Sequence, residues 1–320
     1  MEIYEKRIKK TNRFFLILVI LYLGFSFMMR YFLQNIILRS CLAEFFLLCI
    51  GIVFLFYQKV KIKDYIRLRK VDFISIIFSI LYGICLIPIV AVINALSMLF
   101  VENVASSSIS AMVDRGFLVS LFAIAIVPAI VEEFLFRGIV YRGYRQARPI
   151  RGILYSAFLF GALHMNFNQF CYAFFMGIAM GVLAEVTDSL VPSMVVHCLF
   201  NGQTVCLMYL LKFLMKVMDG VGGASISEAI ENAGTATLTQ KEVLSAMIVY
   251  LPLAIGGAAL AIVLLIALAK RNHRYDYMMT WFSQEYKEDR EQLPKPTIIS
   301  VSFILAVFLC FGICLLTELR

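Results

Sequence analysis

Nine apolar stretches long enough to cross or nearly cross a membrane divide this chain, and they limit what it can become. A hydrocarbon core about 30 Å thick is spanned by about 20 helical residues. The candidates are Phe14–Met29, Cys41–Tyr57, Phe73–Phe100, Phe117–Tyr141, Ile153–Phe167, Phe170–Val186, Leu190–Leu211, Leu244–Ala269 and Ile298–Leu316. Backbone N–H and C=O groups find no water in hydrocarbon, so such stretches must pair them internally as helices. The predicted fold is all-α, a polytopic transmembrane helical bundle with 8–9 membrane-spanning helices. The range reflects the fifth and sixth stretches, which are short and parted by little more than Asn168 and Gln169. They read as a tight helical hairpin, or with one member partly re-entrant. The first stretch follows a basic run, as a signal peptide's would, but lacks a small-residue cleavage site and reads as a retained anchor.

Composition agrees. Hydrophobic residues are 62% of the 320, charged residues 16%, and the mean hydropathy is +0.87. Soluble domains carry about 45–50% apolar and about 25% charged residues. A soluble enzyme, a secreted disulfide scaffold, a coiled coil and a disordered chain are excluded. The eight cysteines lie almost all within apolar stretches, without metal-finger spacing, and read as small buried hydrophobes.

The net charge of +8 does not point to nucleic acid, because the basic residues sit between apolar stretches. Twenty-one of the 29 Lys and Arg fall in segments 1–13, 58–72, 142–152, 187–189 and 270–297, and seven in the alternate segments. The positive-inside rule therefore predicts a plasma-membrane protein with a cytoplasmic N-terminus. Two segments are long enough for structure of their own. Segment 212–243 contains the stretch Ser225–Ala233, and its Thr239–Glu242 reads as a capping box opening the eighth helix. Segment 270–297, with Tyr275, Tyr277, Trp281, Phe282 and Tyr286, reads either as an amphipathic helix in the headgroup layer or as a loop with aromatic anchors.

Ionisable side chains within spans are costly, about 2.5–3.5 kcal/mol or more at the bilayer centre, and mark function. Here they are few. The fourth stretch holds Glu132, Glu133 and Arg137; the fifth holds His164; the seventh holds His197 with Asn201. Glu133 and Arg137, four apart, share a helix face and pair. Glu132 lies about 100° away around the helix, without that partner. His197 and Asn201 are also four apart, as are Phe160 and His164. At about 1.5 Å per residue, Glu132 lies about 15 Å from the basic end of its helix, His164 about 18 Å, and His197 and Asn201 about 11 and 17 Å. This places all four in one layer, in the half nearer the basic loops, with a site expected to open toward the cytoplasmic leaflet. Glu185 and Asp188 read as solvated, while Glu44, Glu102 and His273 are assigned no role.

Such a layer supports water activation. A carboxylate beside an imidazole takes a proton from water, and a second His with an Asn amide supplies donors for an oxyanion. Together these amount to hydrolysis of an acyl bond, most naturally a peptide bond.

Three motifs in order carry a resemblance: Glu132-Glu133-Phe-Leu-Phe-Arg137, Phe160-Gly-Ala-Leu-His164 and His197-Cys-Leu-Phe-Asn201. They resemble those of the CPBP (ABI) family of intramembrane proteases, which includes type II CAAX prenyl proteases and bacteriocin-processing proteins. The resemblance divides the chain into three N-terminal spans (1–116), a CPBP/ABI catalytic core (117–205), and a remainder (206–320) holding an extracytoplasmic loop, the C-terminal helices and cytoplasmic loop 270–297. It implies that Glu132 and His164 activate water, that His197 and Asn201 form the oxyanion hole, and that Glu133 and Arg137 support them. It implies no cofactor. Zinc is the alternative, although nothing matches His-Glu-x-x-His. The implied partners are the lipid bilayer and a membrane-embedded or lipidated peptide, prenylated or bacteriocin-type, with no nucleic acid. Two rivals are a non-catalytic membrane scaffold or immunity protein and an ion-coupled transporter, although the repeated halves usual in transporters are not seen.

Overall fold

Short polar side chains set several helix starts by accepting from backbone N–H groups that a first turn leaves unpaired. Asn35 accepts from the Leu38 N–H at 3.1 Å, Asp72 from Ser75 at 3.2 Å, and Asn166 from Gln169 at 2.8 Å. The structure is a computed structural model that describes residues 2–101, 105–145, 149–220, 240–281 and 297–318. In chain order the helices are α1 (Glu2–Phe32), α2 (Ile36–Tyr57), α3 (Ile62–Tyr65), α4 (Phe73–Met98), α5 (Ala105–Val113), α6 (Phe117–Tyr144), α7 (Pro149–Leu163), α8 (Phe167–Val186), α9 (Val191–Gly220), α10 (Gln240–Arg271), α11 (Tyr275–Thr280) and α12 (Val301–Glu318). There is no strand among the described residues.

Eight of these helices are long and apolar enough to cross a membrane, and α7, with 15 residues, is a ninth and shorter one. The protein is an integral membrane protein with an all-helical, polytopic bundle. The hairpin turn falls at His164–Asn166, earlier than Asn168 and Gln169. The reason is capping: Met165 takes a left-handed φ of 51° to end α7, and Asn166 starts α8. Asn168 lies inside α8, buried, donating to Ser97 Oγ at 2.7 Å. The predicted loop 101–116 contains α5.

Spans α6 and α8 bury 50% and 56% of their apolar windows, against 11–28% for the other six, so they form the centre of the bundle. Gly177 of α8 makes this possible: a Cβ there would stand 2.7 Å from Ala157 of α7, so only glycine lets the two helices meet this closely.

Four basic segments, 1–13, 58–72, 142–152 and 270–297, meet at one end of the bundle. Glu185, at the end of α8, is fully buried and accepts from Arg67 at 2.7 Å, from Arg145 at 2.9 Å and from Arg274 at 3.1 Å. Arg67 also pairs with Asp188 at 3.0 Å, and Arg69 pairs with it too. Near the start of α1, Asn12 donates to the Ile298 carbonyl at 2.7 Å and accepts from the Tyr144 hydroxyl at 2.5 Å. Arg271 pairs with Asp72 at 2.6 Å and holds that carboxyl well below the usual carboxylate range. The reading of Glu185 as solvated is thus corrected. A carboxylate at a helix end is buried when arginines from three other segments converge on it. Replacing Glu185 by Gln should cost about 2 kcal/mol, the scale of charge-assisted hydrogen bonds, read as a lower unfolding midpoint in detergent.

Tyr277 and Trp281 face the protein. Trp281 is buried beside Tyr141 and Ile153, and the Tyr277 hydroxyl accepts from Arg145 at 3.1 Å. In the described part of 270–297 the short helix α11 and Trp281 are therefore packed onto α6 and α7; Phe282, Tyr286 and the rest to 296 lie outside the described residues. So do Thr239, Ser225–Ala233 and Glu102.

Candidate active site

The backbone of α6 departs from regular α geometry around the motif. Wider π-type turns at Leu121–Ile126 and Phe134–Val140 flank an α-helical piece, Val127–Glu133. Such turns recur at functional sites. Pro128 lacks an N–H and so cannot bond the carbonyl of Ile124, four residues earlier. The Asn201 amide, from α9, donates to that carbonyl instead, at 3.0 Å.

One turn on, three charged groups interlock. Glu133 Oε1 accepts from Arg137 Nη1 at 2.7 Å and stands 2.9 Å from His197 Nδ1. A carboxylate can only accept, so that nitrogen carries the proton. Arg137 also donates to the Gly177 carbonyl at 3.2 Å and lies over the Phe160 ring, 4.5 Å from its centroid. Both Glu133 and Arg137 are buried. The other imidazole nitrogen of His197, Nε2, points to Glu132 Oε2 at 3.6 Å, too long for a direct hydrogen bond. The Arg137 guanidinium opposes the Glu133 carboxylate in place, which lowers the cost of holding the two charges in a bilayer.

His164 caps α7. Its backbone N–H bonds Gly161, three back, and its ring Nδ1 takes the place of a fourth-residue donor to the Phe160 carbonyl, at 2.9 Å. A carbonyl accepts only, so Nδ1 carries a proton. The Phe160 ring meets the His164 ring edge-on at 5.0 Å, as the four-residue spacing predicts.

Glu132 and His164 line one cavity of about 470 Å³. Its inner wall includes Phe136 and Phe160, and its polar lining includes Tyr22, Ser40, Glu44, Asn166 and Gln169. The arrangement separates the predicted residues into two groups. Glu132 and His164 face the cavity. Glu133, Arg137 and His197 stand behind Glu132 as a network, and Asn201 is one turn along α9, tied to α6. Neither His197 nor Asn201 lines the cavity.

Two features were not legible. Glu44 lines the cavity, and its Oε2 is buried without a hydrogen-bond partner among the described residues. It is the one carboxylate within the second apolar stretch, the same signal that singled out the fourth. The second is the extent of the cavity. Its lining runs from Glu132 and Phe136 in mid-bundle toward Ser40, Ile109, Met112, Met165 and Asn166, on the side away from the basic segments.

Among the described residues no three His, Cys, Asp or Glu side chains converge as a metal ion requires. All eight cysteines are free; Cys310 and Cys314 are buried, whereas Cys206 is exposed.

Comparison with protein families matches residues 114–203 to Rce1-like, described as Type II CAAX prenyl endopeptidase Rce1-like. The Rce1-like match begins and ends within three residues of the 117–205 core expected from the motifs, and it contains all six predicted site residues. Comparisons with curated proteins and with solved structures find no match.

Proposed function

We propose that this protein is an intramembrane endopeptidase that cleaves membrane-embedded or lipidated peptides, prenylated or bacteriocin-type, by general-base catalysis. The observation that carries this reading is the shared cavity of Glu132 and His164. In this reading a water is held between the two. One of its protons goes to Glu132, and its oxygen adds to the carbonyl carbon of the peptide. The C–N bond then breaks as Glu132 returns that proton to the leaving nitrogen, giving a carboxylic acid and an amine. The oxyanion is assigned to His197 and Asn201 as the motif resemblance implies, with His197 held by Glu133 and Asn201 by the Ile124 carbonyl behind the cavity wall. The Rce1-like match supports a protease, and the three-to-one bias of basic residues supports a plasma-membrane protein with its N-terminus in the cytoplasm.

The test is cleavage of a peptide library, prenylated and plain, by purified protein in detergent. His164→Ala should lower turnover about 100-fold, the lower range for a positioned acid–base group, with wild-type folding. A chelator should leave wild-type turnover unchanged. Equal turnover by His164→Ala ends the role of that residue, and loss of activity with chelator replaces the metal-free mechanism with a metal-dependent one.

A further inference from the structure

The second apolar span carries a carboxyl that nothing in the fold accounts for. Along α2, Ser40, Glu44, Leu47, Gly51 and Leu55 are spaced by three or four residues and form one stripe. That stripe faces the bundle. Leu47, Gly51 and Leu55 are buried, and a Cβ at Gly51 would stand 2.7 Å from the side chains of Leu135 and Phe134 on α6. Glu44 is therefore turned inward rather than toward lipid, and it lines the same cavity as Glu132 and His164. Its Oε2 is buried and meets no hydrogen-bond partner among the described residues. No Lys or Arg stands in the described lining.

Glu132, His164 and Asn166, also in the lining, have tasks in the reaction or in the fold. Glu132 serves the water in the endopeptidase reading, His164 bonds the Phe160 carbonyl at the end of α7, and Asn166 caps α8. Glu44 has no such task. A buried carboxyl without a donor is costly, and inside a membrane span it marks a function when no structural pairing explains it. Two carboxyl groups on one poorly screened cavity also give it a negative character that no cation in the described lining offsets. The group that such a cavity holds best is a cation able to donate hydrogen bonds. From this, and resting on the endopeptidase reading, we infer that Glu44 is a specificity-determining residue: its carboxylate receives a Lys or Arg side chain of the bound polypeptide while Glu132 activates the water. A substrate with an acidic side chain at that position meets like charges and is rejected.

Substitutions in the peptide and in the protein test this together. A peptide is made in sets, prenylated and plain, in which one Lys, one norleucine or one Glu moves through successive positions. With wild-type protein in neutral detergent, the Lys peptide should be cleaved about 10–100-fold more efficiently than the norleucine peptide at one position, the scale of a charge-assisted hydrogen bond. The Glu peptide should be cleaved least well there. Glu44→Gln should bring the ratio of Lys to norleucine peptide close to one, Glu44→Asp should keep its sign, and Glu44→Lys should favour the Glu peptide. A residue that only braced α2 would slow all the peptides alike and leave the ratios as they are. Unchanged ratios in Glu44→Gln, or no position at which Lys is preferred, overturn the inference. A second measurement reads binding of the same peptides, fluorescently labelled, by anisotropy, without turnover. The Lys peptide should bind wild type more tightly by a similar factor, and the advantage should vanish in Glu44→Gln; equal affinities for wild type overturn the inference. Absence of cleavage with the binding difference intact fails the endopeptidase reading and leaves Glu44 as the residue that selects a cationic side chain.

Discussion

Glu132→Gln should abolish nearly all peptide cleavage, with turnover falling toward the upper end of the roughly 10²–10⁴-fold range for a general base. The substitution keeps size and shape but removes the charge that accepts the proton. Glu132 Oε2 stands 3.6 Å from His197 Nε2, too long for a direct hydrogen bond, so the substitution breaks no strong contact there. The variant should therefore fold, and single-turnover measurements should show normal peptide binding with a slow chemical step. A variant that turns over at the wild-type rate would remove Glu132 from the reaction.

The second large effect is on stability. Arg137→Leu leaves Glu133 buried with its charge opposed only by His197. Breaking a buried ion pair from one side costs about 3–5 kcal/mol. It also removes a donor from the Gly177 carbonyl and a cation from the face of Phe160. The unfolding midpoint in detergent should drop sharply. Adding Glu133→Gln should restore part of the loss, because the orphaned charge goes with it. Full additivity of the two losses would show that the pair does not act as a unit.

How far the sequence led depends on what each residue asks of its neighbours. The spans were legible because hydrocarbon demands long apolar helices, and the Glu133–Arg137 pair because a four-residue spacing fixes two side chains on one face. The edge contact of Phe160 with His164 followed in the same way. Glu185 was not legible: its burial depends on Arg67, Arg145 and Arg274, which are distant in sequence. Nor was the bond from Asn201 to Ile124, since it answers a gap that Pro128 opens on another helix. The turn at His164 was placed late because an apolar run continues through Met165 and Phe167 while the chain reverses. Glu44 was passed over because its helix carries no motif, and only the packing of α2 on α6 brings it to Glu132's cavity.

The most direct test of a joint Glu132–His164 site is a double-mutant cycle on peptide turnover, with Glu132→Gln, His164→Ala and the two combined. Groups acting on one water lose their function together, so the double variant should be no slower than Glu132→Gln alone. Losses that multiply would mean that the two side chains serve separate steps or separate sites, and the account would be wrong at its centre.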